Sequence, residues 1–275
     1  MTGVQTCALP IFLDLGDGRR REAADELWEH RTAAVITGIS GVGKSLQLVK
    51  PLLSRYLKEH RRPVVSIDVP ERSTDMEQEL VGLLADGLVH PEGGGDAPQV
   101  MPSRGFKAAV RELLNKRVLV VIDEFQRLLD AEKQPREPFG SALAELARAP
   151  GNQGGLWLVS NQHLDVLWTQ PFHPVDLPAP EVDEGVEIVL RQLRTADAAD
   201  RFPESRRAES VKRLGRNPRV LNLLGALLRR YTLDELLGPP TEEIPDDELV
   251  KTIEMDWSPR PPKGSRTTSA ARCAR

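Results

Sequence analysis

The chain has 275 residues and a formal net charge of −4, and it is too short for several large domains. The slightly acidic balance gives no general argument for nucleic-acid binding. No apolar stretch is long enough to span a membrane, so we expect a soluble, cytoplasmic protein with no membrane partner. Only Cys7 and Cys273 are present, near the two ends, which excludes a disulfide framework or a cysteine-ligated zinc site between them.

The first eleven residues have a sequence unlike the rest of the chain. Residues 2–11 read TGVQTCALPI, which resembles the translation of a common sequencing-library adapter. The segment carries no charge, and its apolar core is too brief for a signal peptide. We therefore expect residues 1–11 to be an artefact, the natural protein to extend upstream of Phe12, and an effector or sensor domain to be missing at one end.

A glycine-rich motif follows the apolar run at residues 33–37. Residues 38–45 read GISGVGKS and fit the phosphate-binding pattern G-x-x-x-x-G-K-[ST]. Its glycines let backbone N–H groups surround phosphates, Lys44 supplies a positive charge to the β and γ phosphates, and Ser45 supplies a ligand for Mg²⁺. A chance match in a glycine-rich loop is the alternative, against which the preceding strand argues. The predicted nucleotide-binding residues are Gly38, Ile39, Ser40, Gly41, Val42, Gly43, Lys44, Ser45 and Leu46.

Helices and strands then alternate, as in a three-layer α/β sandwich. We expect a helix over residues 46–60, kinked near Val49 because Pro51 lacks the N–H that the helix interior requires. The pattern further predicts a strand over residues 64–69, helices over 76–88 and 106–115, and a flexible loop over 91–104.

A second motif ends the apolar run at residues 118–122. Such a continuous run is typical of a central parallel strand that helices cover on both faces. Asp123 would lie at the carboxyl end of this strand, where α/β sheets bind their ligands, and is predicted to hold Mg²⁺. Glu124 is positioned to polarise an attacking water and is the candidate general base. An ordinary buried strand followed by a solvated acidic turn is the alternative.

The charged segment at residues 132–138 contains two prolines. It is either a mobile loop near the terminal phosphate that meets a partner or a plain solvated connection. A third apolar strand, residues 156–159, ends at Ser160 and Asn161.

Together, the first two motifs resemble the Walker A and Walker B motifs of the AAA+ and STAND group of P-loop ATPases, which includes ORC-like and NACHT-like proteins. The sequence GRRRE at residues 18–22 is similar to the group's helix beside the adenine. Residues 172–180 look like its crossing from core to lid, and a helix is expected over 184–195. The sequence GRNPR at residues 215–219 resembles the "GxP" element that opens a lid helix, although two residues separate the glycine from Pro218.

The resemblance also implies roles for individual residues. Asn161, or with less support Ser160, would contact the γ-phosphate or the attacking water; a strand-end turn is the alternative. Pro218 would lie against the nucleotide, and Arg219 would reach the γ-phosphate, a role for which Arg216 competes. A solvated helix start is the alternative interpretation of these arginines. No arginine finger can be assigned.

We therefore predict an α/β fold in which a three-layer P-loop NTPase core with a parallel sheet is followed by a small helical lid. The core is expected over residues 12–178 and the lid over 179–238. The tail at 239–275 is rich in proline and then in Ser, Thr, Arg and Ala, so we expect it to be largely disordered. Its end is either a basic interaction arm or an out-of-frame extension.

Three functions fit these motifs, with ATP and Mg²⁺ as ligands and ADP as product. The first is an ATP-hydrolysing AAA+/STAND-type switch in a larger signalling or defence protein, which could form a homo-oligomer in its ATP state. The second is a DNA-associated AAA+ ATPase of the replication-initiator or transposition-regulator type, which the net charge does not support. The third is a nucleotide-binding scaffold without turnover. A small-molecule kinase fits less well, because Asp123 and Glu124 favour water as acceptor.

Overall fold

The computed structural model describes residues 17–91, 105–149 and 154–237. The predicted artefact at 1–11, nearly all of the predicted loop at 91–104 and the predicted tail at 239–275 lie outside these residues. The strands are β1 (Ala33–Gly38), β2 (Val64–Asp68), β3 (Leu88–Val89), β4 (Leu119–Asp123), β5 (Gly155–Val159) and β6 (His173–Leu177).

Helices separate most of these strands and also form the carboxyl-terminal part of the described chain. The α-helices are α1 (Asp17–Glu29), α2 (Lys50–His60), α3 (Met76–Asp86), α4 (Phe106–Asn115), α5 (Phe139–Arg148), α6 (Val166–Thr169), α7 (Val182–Arg194), α8 (Glu204–Arg213), α9 (Pro218–Leu227) and α10 (Leu233–Leu237). A π-helical turn spans Lys44–Val49, and short 3₁₀ helices span Phe125–Leu128 and Ala199–Arg201.

One six-stranded sheet lies at the centre, in the order β3-β2-β4-β5-β1-β6. Its pairs are parallel except for β2 with β3. Side chains of α3, α4 and α5 form the core on one face, and those of α1, the π-helical turn and α2 form it on the other. Both-face burial explains why β4 and β5 are continuously apolar. The predicted three-layer α/β fold is confirmed.

The helices after β6 enclose a third apolar cluster of their own. Helix α7 begins with a capping box, in which the Glu181 side chain accepts from the backbone of Glu184 and the Glu184 side chain accepts from the backbone of Glu181. Phe202, Leu214 and Leu221 are completely buried between α7, α8 and α9. This small helical unit has enough apolar surface to form a core separate from the sheet.

The helix after the phosphate loop changes type at the position predicted for its kink. The N–H of Leu48 donates to the carbonyl of Gly43 at 3.2 Å, and that of Lys50 donates to Ser45, so both hydrogen bonds span five residues. α-Helical geometry begins at Lys50, which places Pro51 in the first turn, where its missing N–H is not required.

Two sequence expectations require correction. The helix predicted over 76–88 ends at Asp86, because Leu88 and Val89 pair with β2 as a short antiparallel strand. Residues 173–177, expected only to cross from core to lid, form β6 beside β1. Pro174 is tolerated there because β6 is an edge strand, which needs hydrogen bonds on one side only.

Candidate nucleotide-binding site

Most of the predicted site residues lie around the carboxyl ends of three adjacent strands, β4, β5 and β1. A pocket of about 280 Å³ opens there, close to the lower end of the roughly 300–1,000 Å³ typical of small-molecule sites. Its wall contains residues of the phosphate loop, of the ends of β4 and β5, and of α9. The lining residues are Ser40, Gly41, Gly43, Lys44, Ser45, Leu46, Gln47, Asp123, Glu124, Gln126, Asn161, Arg219 and Asn222.

At the two loop glycines that line the pocket, the backbone adopts conformations that favour glycine. Gly41 has φ +78° and Gly43 has φ +100°. A Cβ on Gly43 would lie 2.5 Å from Oε1 of Gln47, and one on Gly41 would lie 2.6 Å from Cβ of Arg219. At Gly41 a side chain would meet the start of α9, at Gly43 it would displace the flexible end of Gln47, and the positive φ disfavours a side chain at both positions, which fits a loop that brings its backbone close to a phosphate.

Lys44 is buried, with 8% of its surface exposed. Its Nζ donates to the carbonyl oxygens of Gly38 at 2.6 Å and Ile39 at 3.0 Å. Burial lowers the pKa of Lys44, and the carboxylates of Asp123, Glu124 and Asp176 act in the opposite direction. The ammonium group of Lys44 is thus held by the backbone of the phosphate loop itself.

The two acidic residues after β4 are held differently. Oδ1 of Asp123 accepts a hydrogen bond from the N–H of Glu124 at 2.7 Å. Glu124 has φ +56°, and its Oε2 accepts from Nε2 of Gln126 at 2.6 Å and lies 3.5 Å from a guanidinium nitrogen of Arg127. Both carboxylates line the pocket, so the end of β4 supplies it with negative charge opposite Lys44.

A third carboxylate, Asp68, lies at the end of β2 in register with Asp123. Burial raises the pKa of Asp68, and the charges of Asp123 and Glu124 raise it further, while Arg127 lowers it. Within residues 17–91, 105–149 and 154–237, no group of three or more His, Cys, Asp or Glu side chains forms a metal site.

The end of β5 distinguishes between Asn161 and Ser160. Asn161 lines the pocket, and its N–H donates to Oε1 of Gln126 at 3.2 Å. Ser160 is buried outside the pocket wall, and its Oγ donates to the carbonyl of Gln162 at 2.7 Å. Of the two residues, Asn161 is therefore the one available to a bound ligand.

The lid contributes through the first turns of α9. Oδ1 of Asn217 caps this helix by accepting from the N–H of Arg219 at 3.0 Å. Arg219 and Asn222 line the pocket, and Nδ2 of Asn222 donates to the carbonyl of Pro218 at 2.8 Å. Pro218 itself is buried within the lid, and Arg216 lies 3.6 Å from the carboxylate of Glu181. Of the two arginines, Arg219 lines the pocket wall and Arg216 does not.

Most of the predicted nucleotide-binding residues line this pocket, but Gly38, Ile39, Val42 and Pro218 do not. The carbonyls of Gly38 and Ile39 bind Lys44 instead, and Val42 is packed in the core below the loop. The catalytic, nucleotide-binding and metal roles assigned to all these residues stay predictions.

Sequence reasoning missed Gln47, Gln126 and Asn222, which also line the pocket. In the sequence, Gln126 is visible only as a polar residue two positions after Glu124. Asn222 is visible only as a polar residue one helical turn after Pro218. Residues 132–138 are not part of the pocket wall, which gives no support to a role for them near the terminal phosphate.

None of the helices within the three described ranges is both long and apolar enough to cross a membrane.

Three solved structures are similar to this one to different degrees. A Walker-type ATPase of Pyrococcus abyssi superposes with a TM-score of 0.55 at 20% identity, over 77% of this chain and 67% of that one. ORC1 of Aeropyrum pernix in complex with DNA gives 0.47 at 16% identity, over 90% and 68%. A RuvB variant of Thermotoga maritima gives 0.47 at 15% identity, over 87% and 69%. The first of these superpositions shows a shared fold, and at 20% identity it shows nothing finer.

Sequence comparison gives a narrower result. No curated protein matches the chain. The sequence profile of the family described as AAA domain matches residues 26–165, which is more than half of the chain and includes both Walker motifs. The AAA+ part of the predicted resemblance is thereby confirmed. The chain belongs to the AAA domain family.

Proposed function

We propose that this chain binds ATP with Mg²⁺, hydrolyses the ATP, and uses the bound nucleotide to set the position of its helical lid. The observation that carries the proposal is a pocket whose wall comes from two separately packed units. Lys44, Ser45 and Asp123 belong to the sheet core, whereas Arg219 and Asn222 belong to α9. A ligand that contacts both units binds more tightly when the units are close together than when they are apart. That difference in affinity shifts the equilibrium toward the closed arrangement, which is what a nucleotide switch requires.

Binding is assigned to the phosphate loop. Its backbone N–H groups and the Lys44 ammonium would meet the phosphates, and the Ser45 hydroxyl and the Asp123 carboxylate would hold Mg²⁺. The metal, when bound, would neutralise negative charge on the phosphates. The fit is supported by the two glycine positions that disfavour side chains and by the opposed charges of Lys44 and the acidic pair.

Turnover is assigned to the ends of β4 and β5. Glu124 would accept the proton of the attacking water, and Asn161 would orient that water or contact the γ-phosphate. Arg219 would add positive charge from the lid side. Its place in the pocket wall, one turn from Asn222, supports this role.

We further propose that residues 12–178 act as the ATPase core and residues 179–238 as the lid of an AAA+/STAND-type switch within a larger signalling or defence protein. The separate apolar cluster of α7–α10 supports a lid that moves as a unit. In this proposal the ATP state closes the lid and exposes a surface for homo-oligomer formation.

The proposal is tested by ATP hydrolysis with the purified full chain, its Glu124→Gln variant and a Glu132→Gln control. Glu132 is exposed and lies outside the pocket wall. We expect wild-type turnover in the presence of Mg²⁺, normal turnover in the control, and a loss of about 10²- to 10⁴-fold in Glu124→Gln with nucleotide binding retained, because an amide cannot accept the proton.

Two results would redirect the proposal. Strong stimulation of turnover by duplex DNA would favour the DNA-associated alternative over the signalling switch. Tight ATP binding with no turnover above that of Glu124→Gln would replace hydrolysis by the scaffold function.

A further inference from the structure

Gln126 connects the two residues to which turnover is assigned. Its Nε2 donates to Oε2 of Glu124 at 2.6 Å, and its Oε1 accepts from the N–H of Asn161 at 3.2 Å. The side chain is partly buried and lines the pocket. It therefore links the end of β4 to the end of β5 through a single amide group.

The chemistry of its partners fixes which way this amide faces. An ionised carboxylate only accepts hydrogen bonds, and a backbone N–H only donates them. Turning the amide over would place its oxygen against Glu124 and its NH₂ group against the N–H of Asn161, so both contacts would become repulsive. One orientation alone satisfies both neighbours, and in it each end of the amide group has a defined partner.

The backbone that carries Gln126 is also held firmly. Phe125 and Leu128, on the same 3₁₀ helix, are buried in the sheet core, and the ring of Phe125 stacks on Trp168 at 5.8 Å. Arg127 donates from Nη1 to the carbonyl of Val69 at 2.5 Å, which ties this helix to the segment after β2. These contacts on both sides of Gln126 restrict its backbone, so Gln126 has little freedom to shift if Glu124 or Asn161 moves.

We propose that Gln126 is a positioning residue that sets the Glu124 carboxylate at a fixed place relative to Asn161. The inference rests on the proposed function, since it concerns the residue proposed as general base. Without Gln126, the Glu124 side chain keeps, among the described residues, its contact with Arg127 at 3.5 Å, and it turns away from the position in which it would meet a water beside Asn161. Gln126 acts through Glu124, so its removal lowers kcat while nucleotide binding is preserved.

Two substitutions separate its two hydrogen bonds. Gln126→Met keeps the length of the side chain and removes both bonds. Gln126→Glu keeps an acceptor for the N–H of Asn161 and places a second carboxylate against Glu124. Gln78→Met, on the exposed side of α3, is the matched control for the chemical change.

The measurements are kcat and KM for Mg·ATP, the affinity for Mg·ADP, the thermal melting curve, and the backbone amide NMR signal of Asn161, all on the full chain. We expect kcat of Gln126→Met to fall about 10- to 100-fold, the scale of effect that a displacement of about 1 Å has on a catalytic group. In Gln126→Glu, kcat should fall by at least the same factor. KM and ADP affinity should stay within about twofold of wild type in both variants, since no phosphate contact is removed.

The NMR signal gives an independent readout that does not require turnover. The Asn161 signal should move in Gln126→Met, which removes its acceptor, and should move less in Gln126→Glu, which retains one. Gln78→Met should leave all the measurements unchanged. Melting curves like that of wild type would show that the loss of kcat is not a loss of folded protein.

Failure of this inference is distinguishable from failure of the proposed function. Normal kcat in both Gln126 variants, alongside a Glu124→Gln variant that has lost turnover, would overturn the positioning role and leave the ATPase intact. A rise in KM with unchanged kcat would overturn it too, because Gln126 would then contact the substrate. Wild-type turnover no greater than that of Glu124→Gln would overturn the proposed function, and the positioning role with it.

Discussion

The start of α9 lies so close to Gly41 that the effect of Gly41→Ala can be predicted quantitatively. The added Cβ would lie 2.6 Å from Cβ of Arg219 and 3.2 Å from Oδ1 of Asn217. Carbon atoms pack best at about 3.5–4.0 Å, so the start of α9 must retreat by about 1 Å. The φ of +78° adds a backbone cost of about 1–2 kcal/mol for any residue other than glycine. We expect both lower stability and weaker closure of the lid on nucleotide.

Two other glycines separate these effects. Gly215 has φ +61°, and no atom lies within 4 Å of the position that an added Cβ would take, so Gly215→Ala should show the backbone cost of about 1–2 kcal/mol alone. Gly82 lies within α3 with equally open surroundings, so Gly82→Ala should gain up to about 1 kcal/mol from helix propensity.

Thermal melting and ATP titration calorimetry test these expectations. For a domain of this size, 1 kcal/mol corresponds to a shift in Tm of about 2–4 °C. Gly41→Ala should show the largest drop in Tm and should also bind ATP more weakly, whereas the Gly215 and Gly82 variants should bind ATP as wild type does. If Gly41→Ala matched Gly215→Ala in both Tm and ATP affinity, the packing of α9 against the phosphate loop would be refuted.

Two further predictions concern charged residues. Lys44→Met should weaken ATP binding about 10- to 100-fold, because it removes a charge-assisted contact of about 1.5–3 kcal/mol. The control Lys58→Met, on the exposed face of α2, should bind ATP normally in the same titration. Since the pKa of Asp68 is raised in the folded chain, the folded state binds more protons than the unfolded state above pH 3.8, and stability falls as pH rises through that window. Asp68→Asn should therefore have a higher free energy of unfolding than wild type near neutral pH, and the difference should shrink as the pH approaches 3.8. Urea unfolding at several pH values measures it, and a difference that does not change with pH would contradict the reasoning.

The parts of the fold that were predictable are those in which burial or chemistry fixes residue types locally. Strands β4 and β5 are continuously apolar because both of their faces are covered, and that pattern is visible without a structure. Strand β6 is not visible in this way, because an edge strand alternates in burial and here contains Pro174. Its identity depends on pairing with β1, which precedes it by more than a hundred residues.

The candidate site divides along the same line. The phosphate loop and the acidic pair were predictable because phosphate and metal chemistry require those residue types in sequence. Gln126 and Asn222 were not, because their positions depend on how separate elements meet. Motif membership also says little about where a side chain lies, since Val42 belongs to the phosphate loop and packs in the core.

The connection from β6 to α7 has a kinetic consequence. Strand β6 pairs with β1 as far as Gly38, the first residue of the phosphate loop, and only residues 178–181 separate its end from α7. Four residues span at most about 14 Å when fully extended, so the start of α7 stays close to the end of β6 and to the phosphate loop beside it. In the proposed switch, closure of this tethered lid over the pocket is therefore a unimolecular step at high effective concentration. Dilution would separate copies of the chain from one another, but it would leave the rate of lid closure unchanged.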